Sequence, residues 1–151
     1  MTTPSRHPVA FDFFLEISVI DQLAGTAMER ALPEGVSMAS FGLLNHLTSK
    51  GGADSPARLA QALMVTKGTV TALLKRLEAR GLIALSQDPR DGRAKIVALT
   101  PEGQRRRDLA VAALDPLLGS FLADFPEQDL LAVLPLLRRV RMVLNRRRHR
   151  A

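Results

Sequence analysis

The chain has 151 residues, of which 24% are charged and 46% hydrophobic, and it lacks cysteine, tryptophan and tyrosine. Zero cysteine excludes disulfides, thiolate metal sites, cysteine nucleophiles and thiol redox sensing together. The length fits one compact domain, or two small modules sharing a core, with no need for covalent staples. The formal net charge is +6, but its placement says more: residues 1–57 sum to −3, 58–107 to +7, 108–137 to −5 and 138–151 to +7. A solvated surface mixes signs, so a central basic block between acidic flanks points to a polyanion-binding unit mounted on a scaffold. The longest strongly apolar stretch, 130–137, is far short of the roughly 20 residues of a membrane span. Asp12 and Glu16 interrupt what would otherwise read as a signal-peptide core. A soluble cytoplasmic protein with no membrane contact is the expectation.

Taken in chain order, apolar residues at Ala10, Phe13, Phe14, Ile17, Ile20, Ala24, Ala27, Met28 and Ala31 keep helical spacing and predict a long amphipathic helix over 10–31. Pro33-Glu34-Gly35 ends it. A second helix from 37 or 38 to 49 carries Phe41, Leu44 and Leu47 and stops at Gly51-Gly52. Ser55-Pro56 opens a short third helix, with serine as N-cap and proline in the first turn, where its missing N–H costs nothing. Thr66 caps a fourth helix, which Gly81 terminates. Alternating runs over 82–86 and 94–99, joined by the polar loop 87–93 with Asp91-Gly92 at its tip, predict a β-hairpin. Thr100-Pro101 opens a fifth helix that reaches about residue 123. A sixth starts near Phe125-Pro126 with Glu127 and Asp129 in its first turn, where the helix dipole favours acids. It runs through Leu130, Leu134, Leu137, Val140 and Leu144 into the C-terminal arginines, and Pro135 inside it is expected to kink it.

A short helix, a tight turn, a second helix and a hairpin make a winged helix-turn-helix. At 100° per residue from Lys67, the fourth helix gathers Val70, Leu73, Leu74 and Leu77 into one stripe between about 240° and 340°. Its opposite side, near 100°, carries Gly68, Thr71, Ala72, Lys75 and Ala79. Small side chains ending in one cation let a helix settle deep in a DNA major groove, where base edges are read. On this reading Thr71 and Lys75 reach bases, while Lys67 and Arg76 flank the face and suit phosphates, which fix register without reading sequence. Gly68 and Thr69 lie at the helix start, where free N–H groups favour a phosphate. In the hairpin loop Arg90 and Arg93 straddle Asp91-Gly92, with Lys95 beyond; an arginine there fits a narrow minor groove. Asp91 reads as the residue that orients Arg93, because a bare carboxylate near phosphates is repelled.

The stretches Ser55-Pro56-Ala57-Arg58-Leu59-Ala60, Thr66-Lys67-Gly68-Thr69-Val70-Thr71, Leu77-Glu78-Ala79-Arg80-Gly81-Leu82-Ile83, Asp88-Pro89-Arg90-Asp91-Gly92-Arg93 and Leu99-Thr100-Pro101-Glu102-Gly103 occur in that order. Together they resemble the MarR family of bacterial transcription regulators over about 41–103. The resemblance implies an obligate homodimer built from the first, fifth and sixth helices. It also implies a wing arginine in the minor groove, which maps onto Arg93, and a palindromic operator. The expected fold is therefore mainly α with a small β-hairpin wing. An N-terminal dimerisation helix would occupy 1–35, a winged helix-turn-helix 36–100 and C-terminal dimerisation helices 101–151. The first and last helices support the dimer independently, being too apolar for a lone chain of this size to hide.

Other readings stay open. The tail 138–150 can touch nucleic acid, touch an acidic partner, or be a solvated helix end. With the second of these, the winged helix becomes a protein-interaction module. Phe13, Phe14 and Phe41 line either a ligand crevice or a core, and His46 lies near where family members bind small ligands but is more simply a satisfied histidine. By resemblance alone, an aromatic acid or other amphipathic effector would bind and change the spacing of two recognition helices. His7 and His149 lie near the chain ends and read as inert. The three histidines have no metal-ligand spacing, so no metal is expected. There is no phosphate loop, nucleophile elbow or paired zinc-binding histidines, so neither catalysis nor a cofactor is expected.

Overall fold

The computed structural model describes residues 5–148. Six helices and a small sheet follow in the order α1 (Pro8–Ala31), α2 (Met38–Ser49), β1 (Ala53–Asp54), α3 (Pro56–Ala62), α4 (Lys67–Ala79), β2 (Ile83–Asp88), β3 (Asp91–Leu99), α5 (Pro101–Asp124) and α6 (Glu127–Arg148). The chain divides into two compact units, Met1–Leu114 and Asp115–Ala151. The predicted caps at Ser55 and Thr66 are in place, and Ser37 caps α2 in the same way. Ser37 accepts from the Ser40 amide, Ser55 from that of Arg58 and Thr66 from that of Thr69, each satisfying an N–H that the first helical turn would leave unpaired.

The first unit holds two apolar clusters. Leu43, Leu44 and Leu47 of α2, Leu59 of α3, Val70, Leu73, Leu74 and Leu77 of α4, and Leu82, Ile83 and Val97 of the sheet form one continuous core. Leu32, Val36, Ala110 and Leu114 form a second, with Met28 and Phe41 packed against it. Most of α1 lies outside both clusters, and Phe11, Leu15, Ile20 and Leu23 are exposed. The second unit contains the end of α5 and all of α6, on which Leu131, Leu136 and Met142 are exposed and no residue is buried.

The sheet corrects the expected hairpin in two respects. It has three antiparallel strands in the order β1-β3-β2, because Ala53 and Asp54 pair with Ala98 and Val97. A two-residue strand has no periodicity to read, which is why it escaped the sequence. The hairpin is also longer than expected and turns elsewhere. Gln87 pairs with Lys95 and Asp88 with Asp91, so Pro89 and Arg90 form the tip and Asp91-Gly92 belongs to β3. Between those two pairs β3 carries Gly92, Arg93 and Ala94 with no counterpart on β2, a bulge that re-aims the side chain at its centre.

Two local features fix the helix-turn-helix to its surroundings. Gly81 adopts φ 69° where α4 ends, and Thr100 donates its hydroxyl to the Gly81 carbonyl at 2.6 Å while accepting from the Gly103 amide at 3.0 Å. In the turn between α3 and α4, Met64 holds φ 57°, the left-handed conformation that L side chains avoid. Met64→Gly is expected to raise stability by about 0.5–1 kcal/mol, the relieved strain exceeding the added unfolded-state freedom. A chemical denaturation midpoint at or below that of the parent chain would contradict it.

Candidate nucleic-acid interface

α4 is held from behind and open in front. Val70, Leu73, Leu74 and Leu77 are at most 4% exposed, whereas Lys67, Gly68, Thr69, Thr71, Ala72, Lys75 and Arg76 are all exposed. This is the division the 100° wheel demands. The Thr71 hydroxyl donates to the Lys67 carbonyl at 2.8 Å, so toward a partner Thr71 offers a methyl group and an acceptor rather than a donor. The Thr69 hydroxyl lies 2.9 Å from that of Thr66 and belongs to the cap. A Cβ on Gly68 would have only the Thr66 hydroxyl within 4 Å, at 3.9 Å. Own-chain packing therefore does not require glycine there, although a helical glycine costs stability relative to alanine.

The cations around this face are unspent. Among the described residues, Lys67, Lys75, Arg76, Arg90, Arg93 and Lys95 are exposed and make no ion pair. The Asp91 carboxylate accepts the Arg93 backbone N–H at 3.0 Å, so it shapes the bulge that carries Arg93 and does not pair with the guanidinium. Arg80, the residue that follows α4, donates to the carbonyl of Gly35 between α1 and α2.

The three residues expected at a ligand crevice are not brought together. Phe14 is 45% exposed and packs edge-on against Phe13. Phe41 packs against the same buried cluster as Met28, which lies about 21 Å further along α1 than Phe14 at 1.5 Å per residue. His46 faces Asp54, its Nε2 lying 2.8 Å from a carboxylate oxygen. His149 and Arg150 lie outside the described residues.

Asp54, which the sequence reading passed over, ties together three elements. Its side chain is 7% exposed, meets His46 of α2, accepts the Ser55 N–H at 2.8 Å before α3, and sits in β1 beside the wing. Burial alone would raise its pKa. Hydrogen bonds from His46 and the Ser55 amide, with the charges of His46 and Arg58, outweigh that and hold it below the ordinary 3.8. A depressed folded-state pKa gives stability that is complete above the unfolded value and lost as pH falls through the folded one. Asp54→Asn is expected to flatten the acid limb of the stability curve below about pH 4. Parallel curves for the two proteins over that limb would show that Asp54 carries none of it.

Two helices joined by a tight turn, the second exposed along one side and flanked by a sheet arm bearing free arginines, define a winged helix-turn-helix. A MarR family profile matches residues 34–94. The transcriptional regulator HosA of Escherichia coli O111:H- is 31% identical over 94 residues, covering 62% of this chain and 68% of HosA. The HTH-type transcriptional repressor NicR of Pseudomonas putida is 33% identical over 89 residues, covering 59% of this chain and 56% of NicR. BpsR of Bordetella bronchiseptica, whose structure concerns regulation of its DNA binding by 6-hydroxynicotinic acid, superposes with a TM-score of 0.75 at 26% identity, over 85% of this chain and 98% of BpsR. The chain belongs to the MarR family and is a DNA-binding transcription regulator. No single helix among the described residues is long and apolar enough to cross a membrane.

Proposed function

We propose that the chain acts as a homodimeric, sequence-specific repressor on a palindromic operator and is released by a small-molecule effector. The observation that carries the DNA contact is the uncovered face of α4, where packing accounts for every leucine and for none of the small residues opposite. Thr71 and Lys75 read the major groove, with Gly68 and Thr69 admitting the backbone at the helix start. Arg93 enters the minor groove, Asp91 sets its path, and Lys67, Arg76, Arg90 and Lys95 meet phosphates. The exposed apolar residues of α1 and of α6 support a second copy as their cover. A two-fold pair would set two α4 helices roughly 34–36 Å apart, one helical turn of DNA. The repressor reading draws on NicR and the effector reading on BpsR.

The test is selection of duplexes from a random pool by the purified protein, followed by titration of the winner across salt. An enriched inverted repeat bound with a steep inverse salt dependence is expected, because each neutralised phosphate releases counterions. Selection that enriches nothing, or binding indifferent to salt, would overturn the reading.

A further inference from the structure

A cleft of about 630 Å³ separates the start of α3 from the outer end of the wing, with Asp54, Ser55 and Arg58 on one wall and Asp88, Pro89 and Arg90 on the other. Both carboxylates in it accept hydrogen bonds within the chain. Asp54 is engaged by His46 and the Ser55 amide, and Asp88 accepts the Arg90 backbone N–H at 2.8 Å. The guanidinium groups are not engaged in this way. The Arg58 side chain is 79% exposed and its ion partner is Asp54 at 4.0 Å, too long for a hydrogen bond. The Arg90 side chain is exposed and has no ion partner among the described residues.

We propose that this cleft seats one backbone phosphate of bound DNA, gripped by Arg58 from the helix-turn-helix and by Arg90 from the wing. The inference rests on the DNA-binding reading above and adds a contact on the opposite side of the wing root from α4. A guanidinium presents its N–H groups as a rigid fork that matches phosphate oxygens, so two of them on facing walls suit one phosphodiester. The bridge also has a mechanical consequence. α3 and the wing tip line the same cleft, and a shared phosphate would fix the angle at which the wing presents Arg93. Arg58 therefore contributes register and affinity without sequence preference.

The experiment compares the parent chain with Arg58→Gln, Arg58→Lys, Arg90→Gln and the double glutamine variant, on a pool-selected duplex and on a random-sequence duplex, across a salt series. Arg58→Gln is expected to weaken both duplexes by the same factor, about tenfold near 0.1 M salt, and to reduce the slope of log K against log salt by about one per bound chain. Its melting temperature should not change, and Arg58→Lys should restore the slope. The double variant should lose less than the product of the single losses, because the same phosphate is released. An unchanged slope for Arg58→Gln beside a steep parent slope overturns the proposal. So does a loss that follows a falling melting temperature, or strictly multiplicative losses. If the parent chain itself binds duplex without salt dependence, the DNA-binding reading fails instead.

Discussion

Replacing Gly103 with alanine is expected to destabilise the protein by about 3 kcal/mol and to lower its melting temperature by roughly 10 °C. A Cβ at this position would collide with the Leu82 carbonyl oxygen and lie 2.8 Å from the Leu99 side chain. The first obstacle is backbone, fixed between the end of α4 and strand β2, and cannot rotate aside as a side chain can. Relief would require the first turn of α5 to withdraw, which would also stretch the Thr100 hydrogen bonds to Gly81 and Gly103. Scanning calorimetry of Gly103→Ala against the parent decides the matter. A melting temperature within a degree or two would mean that α5 is not seated against Leu82 in solution. Because α4 ends at the same point, the variant should lose DNA affinity as well, in step with its stability.

Arg93→Ala is expected to do the reverse, leaving stability and assembly intact while weakening operator binding roughly ten- to a hundredfold. Arg93 is exposed, its side chain makes no ion pair among the described residues, and its backbone amide is held by Asp91, which the substitution leaves in place. The fold therefore loses nothing when the side chain is cut back. The loss should be greater on a selected operator than on random duplex, since narrow-groove readout depends on sequence. Gel-shift midpoints at one fixed salt concentration, with mass determined by light scattering, test both halves. Equal midpoints for Arg93→Ala and the parent would remove the wing from the recognition surface.

Much of this was legible in the sequence because it rests on short-range rules. The caps at Ser55 and Thr66, the stop at Gly81 and the leucine stripe of α4 each need only a few neighbouring residues to be read, and each stands where the spacing put it. What escaped depends on contacts between distant segments. Strand β1 exists because Ala53 and Asp54 find β3, some forty residues on, and nothing in two residues announces that pairing. The wing turn was misplaced because Asp-Gly is a strong local turn signal, yet cross-strand pairing of Asp88 with Asp91 put the tip at Pro89-Arg90. His46 and Asp54 are eight residues apart with a glycine turn between them, so their pairing had no periodic trace. Phe14 and Phe41 share a residue type but belong to distant levels of the fold, and composition alone cannot separate them.

The shared hydroxyl of Thr100 has one further consequence. A single side chain ties the Gly81 carbonyl just after α4 to the first turn of α5, so the end of α4 and the start of α5 are joined directly although the wing separates them in sequence. With Gly103 pressed against Leu82 at the same place, the joint acts as a rivet rather than a hinge. A tilt imposed on the start of α5 is therefore expected to reach α4 through this joint rather than be absorbed between them.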